Sequence, residues 1–246
     1  MKKSNTFTVV ALLAAGVVAL SIFDSEVNTF TNPVTPVDPN WDAIAAWPPV
    51  EADEVEAIPD PSRTYTVIVL DDSGSMGDDI IPAREAVVSA LGPMQDDDRV
   101  AVVGLNTGLI LPFSSVADAR TALPPRVATV RSDGGTPLTA AMQASRRALE
   151  QEAARTGGFG TYRILVTTDG EASNKDSLQA EIEDIARTTP IQVATIGVGI
   201  GGNHILRRPD LASFVAIDNV GELAAALRAA IAEEQSFSAI TTFEDG

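Results

Sequence analysis

Three short polar clusters hold the residue types best able to bind an ion. Asp71-Asp72-Ser73-Gly74-Ser75 and Thr168-Asp169-Gly170-Glu171 each follow an apolar run, and Gly134-Gly135-Thr136-Pro137 precedes a long helical pattern. The clusters contain no histidine or cysteine, and two of their carboxylates and three of their hydroxyls are the candidate ligands: Asp71, Ser73, Ser75, Thr136 and Asp169. Hard oxygen donors of this kind select Mg²⁺, Mn²⁺ or Ca²⁺ over zinc or copper.

Each cluster also has an ordinary structural explanation. Asp and Ser after a strand form turns and helix caps. Thr136 before Pro137 is a good N-cap followed by proline at the first helical position. Asp169-Gly170 is a common turn, so no single cluster predicts a site. The three clusters predict a site only if they meet at one edge of the fold.

The surrounding pattern predicts the elements that would bring the clusters together. β-branched, nearly continuous apolar runs predict buried strands at 64–70, 99–106, 162–168 and 191–199, and a short last strand at 214–217. Residues 109–113 follow a two-residue turn and should pair antiparallel at an edge. Helices are expected at 79–92, 116–123, 137–155, 176–188 and 221–234.

Alternating strands and helices predict an α/β fold. We expect an open, mostly parallel central sheet with one antiparallel edge strand and helices on both faces. Ligands of such sheets bind outside the carboxyl ends of the strands. The three clusters fall at those ends.

In order and placement, the clusters resemble the metal-ion-dependent adhesion site (MIDAS) of von Willebrand factor A (VWA) domains, which have a Rossmann-like fold. The resemblance covers about residues 63–235. It implies that Ser73, Ser75 and Thr136 are hydroxyl ligands, and that Asp71 and Asp169 bind the ion directly or through water. It implies one divalent cation, expected to be Mg²⁺ with Ca²⁺ or Mn²⁺ as alternatives, and a partner protein whose Asp or Glu completes the coordination.

The charge of the chain narrows the class of partner. The 34 acidic and 17 basic residues give a net charge of −17, which repels phosphate backbones and argues against nucleic-acid binding. The same field disfavours an acidic protein surface. The expected partner therefore presents one carboxylate within a neutral or basic surface.

The first 62 residues predict an attachment to a membrane or an export route. Lys2 and Lys3 precede an apolar run at 7–23, so residues 1–23 are expected to be a signal-anchor or a cleaved signal peptide. The chain would then lie outside the cytoplasm, either anchored to the cytoplasmic membrane or released to the periplasm. Residues 24–62 form an acidic, Pro-rich segment expected to be an extended tether. Its Trp41 and Trp47 either dock on the domain or bind a partner. Residues 236–246 are a tail without a predicted role.

These features favour a binding module over an enzyme. A docking subunit of an ATPase- or chaperone-coupled assembly machine would use the same site and is the alternative. A metal-dependent hydrolase is disfavoured, because no phosphate-binding loop and no convincing general base are present. No catalytic residue is predicted. Asp72 should point away from the metal, and His204, the one histidine, is expected on a surface loop.

Overall fold

The structure, a computed structural model, describes residues 37–56, 58–200, 204–208 and 210–238. The strands are β1 (Thr64–Leu70), β2 (Arg99–Gly104), β3 (Gly108–Ser115), β4 (Thr161–Thr168), β5 (Gln192–Val198) and β6 (Ser213–Ile217). The α-helices are α1 (Trp41–Ala45), α2 (Ile80–Ala90), α3 (Val116–Val127), α4 (Leu138–Thr156), α5 (Lys175–Thr188) and α6 (Leu223–Ser238). Short 3₁₀ helices at Gly74–Asp79 and Val220–Glu222 precede α2 and α6.

One sheet contains all six strands, in the order β3-β2-β1-β4-β5-β6. β1 pairs in parallel with β2 and β4, and β5 pairs in parallel with β4 and β6. β3 pairs antiparallel with β2 and forms one edge. The predicted α/β fold, with its single antiparallel edge strand, is confirmed.

Both faces of the sheet are covered by helices. Ile68 and Leu70 of β1 face the cluster formed with α2, α3 and α6, whereas Val67 and Val69 face the cluster formed with α4 and α5. All four side chains are fully buried. This explains why β1 is apolar throughout instead of alternating, as is usual for strands buried on both faces. The carboxyl ends of β1 and β4 are therefore fixed by the packed core beneath them.

Helix α3 ends later than the sequence predicts. The sequence predicts an end at residue 123, yet the helix includes Pro124 and Pro125 and continues to Val127. A proline lacks the backbone N–H but keeps its carbonyl, so the Ala128 N–H still donates to the Pro124 carbonyl at 3.1 Å. Arg84 supplies further donors to the carbonyls that follow the helix.

Part of the predicted tether packs on the domain. Helix α1 lies within it, and the Trp47 ring meets the Tyr162 ring edge-on, with centroids 4.8 Å apart. The Glu56 N–H donates to the Arg155 carbonyl at 2.7 Å. Trp41 is 70% exposed. Residues 37–56 are thus a docked segment and do not fit the expectation of an extended tether.

The predicted membrane segment, residues 1–23, lies outside the described residues, as do residues 239–246 of the tail. Within the part of the chain that the structure describes, no helix combines the length and apolar character needed to cross a membrane.

Candidate metal centre

Asp71, the first residue after β1, joins the ends of the two central strands. It is fully buried, and its Oδ1 accepts hydrogen bonds from the Ser73 backbone N–H, at 2.9 Å, and from the Ser73 hydroxyl. Its Oδ2 accepts from the Thr168 hydroxyl at 2.8 Å and from the Asp169 N–H at 3.2 Å. Four donors therefore fix this carboxylate between the β1 and β4 loops.

A row of oxygen atoms leads from Asp71 to Asp169. The Ser73 and Ser75 hydroxyl oxygens are 3.0 Å apart, and the Ser75 hydroxyl donates to Asp169 Oδ1 at 2.8 Å. The Ser73 side chain is buried, whereas Ser75 lies at the surface. The row thus begins in the core and opens to solvent at Ser75.

Thr136 lies across from this row, at the entry to α4. Ser173, in the loop after β4, accepts from the Thr136 N–H at 3.2 Å and donates its own N–H to the Thr136 carbonyl at 3.0 Å. A methyl group placed on Gly170 would lie 3.8 Å from the Thr136 Oγ1 and 3.9 Å from the Ser75 Oγ. Both hydroxyls therefore face Gly170, and the structure brings all five sequence-predicted residues together.

The carboxylates of Asp71 and Asp169 place negative charge at the site. Burial raises the pKa of Asp169, and the neighbouring charge of Asp71 raises it further, against the lowering effect of the Ser75 hydroxyl. Among the described residues, no Arg, Lys or His forms an ion pair with Asp71 or Asp169. In this loop Glu171 forms an ion pair with Lys175 at 3.3 Å, and its carboxylate lies 3.9 Å from the His204 Nε2. Buried carboxylates without a cation are costly, so the site suits a positive ion.

The spacing of the oxygens also suits a small divalent cation. Mg²⁺ binds oxygen at about 2.0–2.1 Å with octahedral geometry, which places neighbouring ligand atoms roughly 2.9 Å apart. The separations along the row are 2.8 and 3.0 Å, which match this spacing as well as that of ordinary hydrogen bonds. Among the described residues, no three His, Cys, Asp or Glu side chains group together in a way that could hold a metal. A metal at this edge would therefore depend on the hydroxyls as much as on the carboxylates.

The Asp72 side chain points away from the candidate ligands, as predicted, and it supports a neighbouring turn. Its Oδ1 accepts from the Asn106 N–H at 2.7 Å and its Oδ2 from the Thr107 N–H at 2.9 Å, which fixes the β2–β3 turn. The Asn106 side chain then donates to the Gly135 carbonyl at 2.9 Å, beside Thr136. Asn106 was not among the predicted site residues, although its place at the end of the predicted second strand put it on the same edge.

Ser132 was also missed. Its hydroxyl donates to the Ser73 carbonyl at 2.6 Å and accepts from the Gly77 N–H at 2.9 Å. The Gly74 N–H donates to the Gly134 carbonyl at 3.0 Å. These bonds tie the Asp71 loop to the Thr136 loop. No pattern in the sequence marks Ser132, because a single serine in a loop has no spacing partner.

His204 is not on the surface, which corrects the sequence prediction. It is only 4% exposed, and its Nε2 lies 2.9 Å from the Gly170 carbonyl. The prediction assumed that a glycine-rich loop is solvated, whereas this part of the loop folds beneath the Asp169 segment. The histidine therefore contacts the loop that carries a candidate ligand.

The strand order and the helix layers are those of a VWA-like α/β fold. Residues 66–171 match the family model described as "von Willebrand factor type A domain", and that stretch contains all five candidate ligands. The match covers less than half of the chain, so it shows a resemblance to that family over these residues.

Solved structures with the same fold come from distant proteins. A von Willebrand factor type A protein from Catenulispora acidiphila superposes with a TM-score of 0.59 at 21% identity, over 70% of this chain and 42% of that one. The manganese-loaded Plasmodium vivax TRAP protein superposes with a TM-score of 0.50 at 17% identity, over 68% of this chain and 74% of that one. The SpRpn10 VWA domain superposes with a TM-score of 0.53 at 10% identity, over 67% of this chain and 95% of that one. This chain thus spans less than half of the Catenulispora protein. No curated protein sequence matches it.

Proposed function

We propose that the chain is a metal-dependent protein-binding module. Ser73, Ser75 and Thr136 would hold one divalent cation, with Asp71 and Asp169 binding it directly or through water. Mg²⁺ is the expected ion, and Mn²⁺ and Ca²⁺ are the alternatives. One observation carries the proposal: two neighbouring carboxylates, one of them fully buried, lie in a row of hydroxyl oxygens, and no cationic side chain among the described residues pairs with them.

The donor set suggests how such an ion would bind a partner. Three neutral hydroxyls leave a divalent cation under-neutralised, so it would attract an Asp or Glu carboxylate from another protein. Ser75 lies at the exposed end of the oxygen row, where a partner can reach it. The TRAP protein that shares the fold was solved loaded with manganese, so a protein of this fold can carry a divalent ion.

The rim of the site favours a partner with a neutral or basic surface around its carboxylate. Asp78, Asp133 and Glu171 are exposed on the loops that form the site, and Lys175 pairs with Glu171. Long-range attraction to a basic surface is screened by salt. The affinity for the partner should therefore fall as ionic strength rises.

In this proposal the chain binds and does not catalyse. His204, the one histidine, accepts a hydrogen bond at Nδ1 and contacts the Gly170 carbonyl through Nε2, so neither nitrogen is available as a general base. We further propose that residues 1–23 direct the chain out of the cytoplasm, as an anchor or a cleaved signal. The domain would then meet its partner in the extracytoplasmic space.

Calorimetric titration of the full chain with Mg²⁺, Mn²⁺ and Ca²⁺ tests the metal site. The test variant is Ser73→Ala/Ser75→Ala, which removes two hydroxyl ligands without changing the charge. The matched control is Ser114→Ala/Ser177→Ala, which removes two hydroxyls from β3 and from the surface of α5.

We expect one saturable site in the wild type and in the control variant, and no binding in the test variant. Equal binding in all three proteins would place the metal elsewhere. No binding of any of the three ions to the wild type would contradict the proposal.

A further inference from the structure

His204 has a defined tautomer in this fold. The Leu206 backbone N–H donates to its Nδ1 at 3.2 Å, so Nδ1 carries no proton in the neutral ring. The ring proton is then on Nε2, which lies 2.9 Å from the Gly170 carbonyl and donates to it. The side chain is fully buried, and Phe214 packs on the ring with centroids 6.1 Å apart.

The Gly170 carbonyl depends on this donor. The Thr168 hydroxyl lies 3.0 Å from the same carbonyl, but it also lies 2.8 Å from Asp71 Oδ2. A hydroxyl has one proton to donate, and a charged carboxylate at the shorter distance is the stronger acceptor. Thr168 therefore donates to Asp71, and His204 supplies the hydrogen bond to Gly170.

Gly170 lies beside three of the candidate ligands. It follows Asp169 directly and faces the hydroxyls of Thr136 and Ser75. Glycine has more backbone freedom than any other residue, so a Gly peptide beside a ligand needs an external contact to fix it. A buried donor on its carbonyl provides that contact.

We propose that His204 is a positioning residue for the metal centre. By donating to the Gly170 carbonyl, it fixes the peptide between Gly170 and Glu171, and through this loop it helps to hold the Asp169 carboxylate against Ser75. The inference rests on the proposed function, because it concerns the same metal site. It also links the segment between β5 and β6, which carries His204, to the β4 loop. Loss of a hydrogen-bonding partner behind a metal ligand typically lowers metal affinity about 10–100-fold.

Two variants of the full chain separate the hydrogen bond from the packing. His204→Phe keeps a flat ring beside Phe214 but removes the donor, whereas the amide of His204→Gln can still donate near the Nε2 position. Mg²⁺ affinity is measured by calorimetry, and folding is checked by thermal unfolding without metal. We expect affinity about 10–100-fold weaker in His204→Phe and close to the wild type in His204→Gln.

A spectroscopic measurement on the unmutated chain gives a second readout. Because the chain has one histidine, ring ¹⁵N NMR of the tag-free protein yields a single pair of nitrogen signals. We expect the Nε2–H tautomer without metal, and a shift of the Nε2 signal on addition of Mg²⁺ that saturates with the calorimetric Kd. A merely structural histidine would not follow the metal titration.

The outcomes distinguish the two proposals. A folded His204→Phe variant that binds Mg²⁺ as tightly as the wild type would overturn the positioning role alone. So would an Nδ1–H tautomer or ring signals that ignore Mg²⁺ while calorimetry records binding; these two results remain informative if His204→Phe fails to fold. A wild type that binds none of the three ions would overturn the metal centre itself.

Discussion

Replacing Asp169 with asparagine should affect the metal-free and the metal-loaded chain differently. Burial and the charge of Asp71 raise the pKa of Asp169 in the folded chain, so its ionised form is less favourable there than in the unfolded chain. Asparagine removes that charge and can still accept the hydrogen bond from Ser75. We therefore expect Asp169→Asn to be as stable as the wild type, or more stable, when metal is chelated.

With saturating Mg²⁺, the wild type should be more stable than Asp169→Asn. An ion present at 100 times its Kd stabilises a chain that binds it only when folded by about 2.7 kcal/mol. For domains of 150–250 residues, each kcal/mol raises Tm by about 2–4 °C, so Mg²⁺ should raise the wild-type Tm by roughly 5–11 °C. Asp169→Asn loses a carboxylate that faces the Ser75 hydroxyl, and most of this increase should disappear.

Thermal unfolding at pH 7, in EDTA and in saturating Mg²⁺, measures both effects in one assay. Glu171→Gln is the matched control, because it removes one negative charge from the same loop at an exposed position outside the oxygen row. The control should keep nearly the full Mg²⁺-dependent increase in Tm. The reasoning would be refuted if Asp169→Asn were clearly less stable in EDTA yet gained as much from Mg²⁺ as the wild type.

Three further predictions concern the framework. Asp72→Asn weakens two backbone hydrogen bonds to a buried carboxylate and should lower the free energy of unfolding in urea by about 2–3 kcal/mol, whereas exposed Asp78→Asn should change it little; equal effects would contradict this. Gly134→Ala adds a Cβ 2.5 Å from the Asn106 side chain at φ +74°, so about 1–3 kcal/mol should be lost, and an unchanged urea midpoint would argue against this loop geometry. Burial raises the pKa of Tyr162 to about 12, so stability should fall by on the order of 2 kcal/mol between pH 10 and pH 12, as the unfolded chain releases a proton that the folded chain keeps; Tyr162→Phe should show a flatter pH profile.

The sheet could be predicted from the sequence because its central strands are buried on both faces. Uninterrupted apolar runs such as Val67–Ile68–Val69 leave a parallel sheet covered by helices as the simplest structure. The meeting of the Asp71 and Asp169 loops could be predicted for a related reason. Residues that directly follow parallel strands converge on one edge, so their meeting depends on topology and not on side-chain detail.

The residues that support the site could not be found in this way. His204, Asn106 and Ser132 act through bonds to backbone carbonyls of other loops, and such bonds depend on loop conformation. Docking of Trp47 was one of two alternatives, and the sequence could not decide between them because its contact, the Tyr162 ring, is more than 100 residues away in sequence. Polar composition alone favoured a solvated tether there. Local patterns thus predicted which residues reach the edge of the sheet, but not which ones fix them in place.

The central claim is that a single divalent cation binds among Ser73, Ser75, Thr136 and the two carboxylates. Anomalous X-ray diffraction from a crystal of the full chain grown with Mn²⁺ tests it most directly. We expect one strong anomalous peak between the Ser73 and Ser75 hydroxyls and the Thr136 hydroxyl, at metal–oxygen distances of about 2.0–2.3 Å. A peak at another position, or none at saturating Mn²⁺, would contradict it.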